Sequence, residues 1–535
     1  MIDKLFEKLD IEDIVGQTLC YDIYDKDNPA EVEKIISKIR PGGIFVTNMS
    51  VEKIKLYTDM ANKYCKIPVI VASDVENGPE IAIKGSGYMP HQMAWGATDN
   101  ADLIKKAGRA VAKICRKNGV HWTFSPVVDI NYNFNCPECN NRAISDSPQQ
   151  IVKIARAFIE GVQENGYMVT ACKHFPGQGL DDRNSHFVTT ENTLSFEKWM
   201  ETYGFVYKEM IKAGTPSIMV AHSSLKCFEE DIDAFFGAPP AVLSKSLMTD
   251  LLKGKLGFDG CIVSDAMSMI GVAARVEKLE DIGVKFLKCG GDMILFPEPT
   301  DFENILQAVN NGQLSYDRLK DACIRVLKLK EKARLFESQT AIESEIVVDN
   351  NFNQIAQKIA DESIKIVRDY NNIFPLELKK GSKVLFLNMV EPFFHKEPTG
   401  KEFSAMKQAF VERGYQVDEI FTAKHKEVKE IMDNYDLICI NCKMSAQDYH
   451  GATLRVGWNN IMLFWRGYVL QHPRCVFISF GDPYKLYDFP YVKEYINAFS
   501  CVDATQRAVV KAILGEIELT AKNPVELKGY FNREV

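Results

Sequence analysis

In the run IVSDAMSM a carboxylate, Asp265, stands directly behind an apolar stretch, with no cation beside it in sequence. Two roles suit that position. It can cap a helix by accepting backbone N–H groups. It can also attack a sugar acetal, trapping the oxocarbenium-like carbon while a separate acid protonates the leaving oxygen. The run KHFPGQG at 173–179 is more specific. Lys173 and His174 close another apolar stretch, where an unpaired charge is costly to bury, so both need polar partners. Hydrogen bonds to sugar hydroxyls would supply them. Pro176, Gly177 and Gly179 then break regular structure and launch a loop that carries His186. A single histidine in such a loop says little by its spacing alone. Asp74, Asp129, Arg142 and His222 also follow apolar runs. Phosphate-binding glycine loops of the GxGxxG or GxxxxGK[ST] type are missing from those places.

These residues meet only if the elements before them are parallel strands of one sheet. Eight apolar runs qualify: 17–22, 43–48, 68–73, 120–124, 167–172, 216–221, 260–264 and 292–296. Each is nearly continuous rather than alternating, as in strands buried on both faces. Amphipathic segments separate them. The clearest runs from Ser147, a candidate cap, through Pro148 to Gly166, with Ile151, Ile154, Ala155, Phe158, Ile159 and Val162 on one face. Strand and helix repeated eight times predict a (β/α)8 barrel, whose carboxyl-end loops carry the chemistry. Long irregular pieces follow the third, fourth and fifth strands. The charged stretch 316–335 closes this first domain, 1–335, and the polar segment 336–350 reads as a linker. Apolar runs at 383–388, 436–440, 461–465 and 475–480, separated by helical segments, predict a smaller αβα sandwich over 351–535. The expected class is therefore α/β, a TIM-type barrel followed by a sandwich.

The chain has 64 Lys+Arg and 72 Asp+Glu, a formal net charge of −8. That balance argues against nucleic acid as a partner, since neutralising phosphates needs a basic face. No apolar run approaches the ~18–20 residues that span a bilayer, so no membrane partner is expected. The start, MIDKLFEKLDIED, has no signal-peptide core, which predicts a cytoplasmic protein. Its 14 cysteines are scattered and mostly sit in apolar stretches, as small hydrophobes do. Two CxxC pairs, Cys136/Cys139 and Cys439/Cys442, lack the further ligands of a zinc site. No metal is assigned.

The motifs also resemble a known family. VASDVENG (71–78), FSPVVDI (124–130), NNRAI (140–144), KHFPGQG with NSH (173–179, 184–186), MVAH (219–222), PPAVLS…LGFDG and IVSDAMSM (262–269) come in the order seen in family 3 glycoside hydrolases. Within that family they look like the β-N-acetylhexosaminidase branch. ISFGDPY (478–484) and PVEL (524–527) are similar to the second domain of its two-domain members. The resemblance implies that Asp265 is the catalytic nucleophile and His186 the general acid/base. It implies that Asp74, Arg142, Lys173 and His174 hold the non-reducing-end sugar, with His222 a further pocket residue. No cofactor is implied, and the partner is a small oligosaccharide or glycoside.

The chain departs from the branch pattern at three places. Asn184 replaces the aspartate that normally precedes Ser-His. An aspartate would orient the imidazole and stabilise its charged form, whereas Asn184 can orient but brings no charge. Gln178 replaces a histidine. Asn77, Gly78 and Pro79 replace the usual glycine–arginine, so a basic residue is lost, and Asp181 and Asp182 are candidates to compensate. The expected activity is that of a retaining exo-β-glycosidase, first a β-N-acetylglucosaminidase. The alternatives are a phosphorylase using phosphate as acceptor, a β-glucosidase, and a non-catalytic sugar-binding descendant.

Overall fold

All eight apolar runs of the first domain are strands in the computed structural model, which describes residues 1–230, 232–348, 351–390, 399–444 and 455–534. They are β1 (Leu19–Ile23), β2 (Gly43–Val46), β3 (Ile70–Ser73), β4 (Trp122–Thr123), β5 (Val169–Phe175), β6 (Ser217–Val220), β7 (Cys261–Ser264) and β8 (Ile294–Leu295). Every pair is parallel, in the spatial order β8-β1-β2-β3-β4-β5-β6-β7. Val263 of β7 also bridges Met293, just before β8, so the ring closes. Helices link the strands in turn: Pro29–Ile39, Val51–Tyr64, Ala101–Lys117, Pro148–Gln163, Tyr203–Lys212, Ser246–Lys255 and Ile282–Cys289, with Asp301–Asn310 after β8.

The helix Pro148–Gln163 begins as its sequence predicts, the Gln150 N–H donating to Ser147 Oγ at 3.4 Å. Alternate strand residues fill the barrel: Phe45, Ile70, Ala72, Trp122, Phe124, Val169, Ala171, Met219 and Val263 belong to one buried cluster. Burying these side chains in layers is what makes such a barrel a solid core rather than a pore. The Trp122 indole N–H has its partner there, Ser217 Oγ at 2.9 Å.

The chain divides into two compact units: Met1–Tyr88, Ile104–Ile130 and Ile151–Phe352 form one, and Met89–Leu103, Asn131–Gln150 and Asn353–Val535 the other. The segment at 336–350 contains a helix, Gln339–Glu345, started by Ser338 Oγ accepting from the Ala341 N–H. Its last two positions, 349 and 350, lie outside the described residues.

The second unit holds six strands: β9 (Lys365–Asp369), β10 (Lys383–Val390), β11 (Gln416–Phe421), β12 (Leu437–Met444), β13 (Cys475–Gly481) and β14 (Glu494–Asn497). Their order is β9-β14-β13-β12-β10-β11, with only β9 antiparallel. Leu385, Leu387, Ile438 and Ile440 line one apolar face, and Val384, Phe386, Leu437 and Val476 the other. The apolar run 461–465 is not a strand. It lies in the helical segments Trp458–Ile461 and Met462–Gln471, whose Leu463 and Val469 cover one sheet face. A short apolar run suits a covering helix as well as a buried strand. Cys439 and Cys442 lie on β12 with Cys439 in one face cluster and Cys442 in the other, which keeps this CxxC from gripping one ion. No helix among the described residues is long and apolar enough to cross a membrane.

Candidate functional site

The carboxyl ends of β3, β5, β6 and β7 bring most of the expected residues together. Lys173 and His174 are in the last turn of side chains on β5, both buried. The Lys173 ammonium donates to Asp74 Oδ1 at 2.7 Å and lies 2.7 Å from Glu76 Oε1. Asp74 is partly open, whereas Glu76 is buried. The cation therefore ties an inner carboxylate to an outer one, and the outer carboxylate keeps lone pairs for a ligand hydroxyl.

His174 is oriented from behind. Its Nδ1 lies 2.6 Å from Asp129 Oδ2, and a carboxylate only accepts, so Nδ1 carries the proton. The His174 and Gln178 backbone N–H groups both donate to Asp129 Oδ1, at 3.2 and 2.7 Å. A fully buried carboxylate with three such donors acts as an anchor for the turn rather than as a reactant. Gly177, at φ +113°, makes that turn possible, since a Cβ there would come within 2.0 Å of the Tyr203 ring.

Asp265 follows β7 and does not cap the next helix, Ile270–Ala273, whose N-cap position is Met269. Its Oδ1 accepts from the Ala266 N–H at 2.8 Å. Burial raises its proton affinity, but His174, His222, the Ala266 N–H and Lys173 outweigh it and hold the carboxyl below the usual carboxylate range. The group is thus kept ionised. His222, two residues after β6, is buried and donates from Nε2 to Ala266 O at 2.8 Å. Burial, with help from His186 and His174, keeps its ring below the usual histidine range despite the pull of Asp265. His222 therefore feels His174, His186 and Asp265 together, which places all four in one field.

His186 arrives on the loop that β5 launches. Its ring Nδ1 and its backbone N–H both lie 2.9 Å from Asn184 Oδ1, an acceptor, so Nδ1 is the protonated nitrogen in the neutral ring. In that tautomer Nε2 carries no proton. Asp181, a candidate to replace the missing charge, is instead committed to the loop, accepting from Arg183 and from the Glu191 N–H. The loop is fastened to the segment after β7: the Ile270 N–H donates to His186 O at 3.2 Å, and Thr189 Oγ1 donates to Gly271 O at 2.8 Å. Gly271 allows this approach, because a Cβ there would stand 2.5 Å from Ser185 O. His186 and Asp265, 79 positions apart in sequence, thus share one scaffold through this fastening.

Arg142 lies in the second unit, on the turn Asn140–Arg142, where its guanidinium donates to Glu138 O at 3.0 Å. Two contributors went unassigned in the sequence. Glu76 was visible only as an acid beside Asp74, and Asp129 only as an acid after the fourth strand. The signal available for both was a carboxylate at the buried end of a strand. Among the described residues no cluster of three or more His, Cys, Asp or Glu side chains could hold a metal ion.

An ionised, partly open carboxylate with a separate imidazole proton carrier suits displacement at an acetal carbon. The model of the glycosyl hydrolase family 3 N terminal domain matches residues 10–329. A β-N-acetylglucosaminidase/β-glucosidase of Cellulomonas fimi is 26% identical over 532 residues, covering 96% of this chain and 93% of that protein. The solved β-glucoside phosphorylase BglX, bound to 2FGlc, superposes with a TM-score of 0.87 at 27% identity, over 98% of this chain and 96% of its own. A family 3 β-N-acetylglucosaminidase from Paenibacillus sp. FPU-7 shares the fold, with a TM-score of 0.83 at 21% identity, over 98% of this chain and 100% of its own.

Proposed function

Because this chain belongs to glycosyl hydrolase family 3, we propose that it is a retaining, exo-acting β-glycosidase whose first substrates are β-N-acetylglucosaminides. The observation that carries this reading is the placement of Asp265 directly behind β7, its Oδ1 accepting from the Ala266 N–H at 2.8 Å, with the His186 loop fastened to the segment that follows it. Asp265 attacks the anomeric carbon, and His186 Nε2 protonates the departing oxygen, giving a covalent glycosyl-enzyme. On the return step the same imidazole takes the proton of the incoming acceptor, which attacks from the side the leaving group vacated. Asp74, Lys173, His174 and His222 hold the sugar. Arg142 is proposed as a sugar ligand on the motif resemblance alone.

One observation favours a second acceptor. The proton carrier is an imidazole steadied by the uncharged Asn184, so an incoming phosphate meets no carboxylate at that position to repel it. The similar protein BglX is described as a β-glucoside phosphorylase, and the Cellulomonas fimi relative carries both glucosaminidase and glucosidase names. Initial rates on aryl β-N-acetylglucosaminide, N-acetylgalactosaminide, glucoside and xyloside, each with and without millimolar phosphate, test both readings. Turnover of the N-acetylglucosaminide is expected. Formation of sugar 1-phosphate would assign phosphate as acceptor, and free sugar alone would assign water. A folded protein that binds these sugars and turns over none would make it a non-catalytic descendant and end the proposal.

Asn184 offers a sharper test of the proton carrier. Asn184→Asp sets a charge against the His186 ring at the position of a 2.9 Å contact. A neighbouring opposite charge favours the protonated imidazole, so the alkaline limb of kcat/KM should move up by about one pH unit. The acid limb should stay in place, since Asp265 supplies it. An unmoved alkaline limb would remove His186 from the proton-transfer role.

A further inference from the structure

Gln178 is buried, and its amide is only half used. Its Nε2 lies 3.4 Å from Ser185 Oγ, its backbone N–H is held by Asp129, and its backbone carbonyl accepts from the Tyr203 hydroxyl at 2.7 Å. Its Oε1 is buried with no donor in the protein. Leaving such an acceptor dry and unpaired is unfavourable, so it takes its partner from outside the protein, a water or a ligand. Two more buried acceptors behind the carboxyl ends of β3 and β6 share this condition: His222 Nδ1, because Nε2 carries that ring's proton, and Asn77 Oδ1, next to the Lys173 partner Glu76. All three accept. A ligand that satisfies them brings several O–H or N–H donors, as a neutral polyol does and a fully ionised anion does not.

We propose that Gln178 is a specificity-determining residue of the sugar site, its Oε1 accepting a hydrogen bond from one hydroxyl or amide N–H of the bound glycoside. This rests on the glycosidase reading above. Gln178 also reaches Ser185, the residue between Asn184 and His186, so the same side chain that reads the sugar touches the loop carrying the proton donor. It stands where the family pattern has a histidine. The choice of sugar is therefore made partly at a position where this chain differs from its relatives.

The test is a cycle between protein and substrate. Values of kcat/KM are measured for the parent aryl glycoside and its 2-, 3-, 4- and 6-deoxy forms (the 2-amino form replacing the acetamide where needed), with the unaltered enzyme and with Gln178→Met. Losing this bond should cost the variant about tenfold or more on the parent. At one ring position the deoxy substrate should then lose nothing further, while losses at the others remain additive. Additive losses at every position would overturn the proposal and leave Gln178 a structural residue. Gln178→Ala replaces Gln178→Met if the longer side chain prevents folding. If the unaltered enzyme turns over no glycoside, the same cycle is run by calorimetric binding on Asp265→Asn. Coupling there would uphold Gln178 while the catalytic reading fell, and no coupling or no binding would overturn both.

Discussion

Asp265→Ala is expected to lower kcat/KM on an aryl glycoside by roughly 10^4-fold or more, the scale seen when a covalent nucleophile is removed. The fold should survive. The carboxyl is kept charged against the cost of burial by His174, His222 and Lys173, and it accepts a hydrogen bond from its own neighbour, the Ala266 N–H. Removing it breaks no bond between elements, so the melting temperature should stay within a few degrees. A chemical signature separates a nucleophile from a residue that merely shapes the pocket. Azide fits the space the carboxyl leaves and should restore part of the turnover on a substrate with a good leaving group. The product is a glycosyl azide formed by a single displacement, of opposite anomeric configuration to the natural product. Near-normal activity in Asp265→Ala, or azide without effect and without an azide product, would sink the assignment.

Lys173→Met should be as damaging to stability as Asp265→Ala is to rate. Lys173 and Glu76 are both buried, with 2.7 Å between Nζ and Oε1. Removing the ammonium takes a cation away from the buried Glu76 carboxylate, and breaking such a buried pair from one side costs about 3–5 kcal/mol. Unfolding entropy scales with size, so for a unit of this length the melting temperature should fall by about 6 °C. Adding Glu76→Gln should recover most of that loss, because the buried charge is then removed together with its cation. Activity should not return, since Asp74 would still lack the cation that holds it. A single variant as stable as the parent would mean that the buried pair does not form. Thermal unfolding of the two variants side by side decides this without any substrate.

The barrel was readable because its strands obey one rule. Runs such as IVAS and CIVS are buried throughout, and continuous apolarity marks strands covered on both faces. Strands that break the rule escaped. β11 reads QVDEIF and lies at a sheet edge, half exposed, so polar residues interrupt it. β9 is only partly buried along its length. The run at 461–465 failed in the opposite sense, having the composition of a strand and the job of a lid over one. In the site, residues that end strands could be found, because strand direction places them. Glu76 and Asp129 could not be assigned, because their roles are set by Lys173 and His174 across the barrel mouth, contacts that no local pattern encodes. The fastening of the His186 loop to Ile270 and Gly271 is equally invisible in sequence, since it joins main-chain oxygens to chain that is remote along the polypeptide.

That fastening bears on how such an enzyme can change over generations. The loop is attached through the carbonyl oxygen of His186, an atom that every amino acid possesses, and through the Thr189 hydroxyl, which donates to Gly271 O. The bare face of Gly271 sets the spacing. One half of the joint thus depends on no side chain, while the other half needs the Thr189 hydroxyl, so position 189 is tied to the joint and position 184 is not. A lineage can retune its proton source, or trade one acceptor for another, while the residue that forms the sugar–enzyme bond stays on its rigid strand. The barrel works as a chassis, and this loop is a cartridge seated by one carbonyl and one hydroxyl.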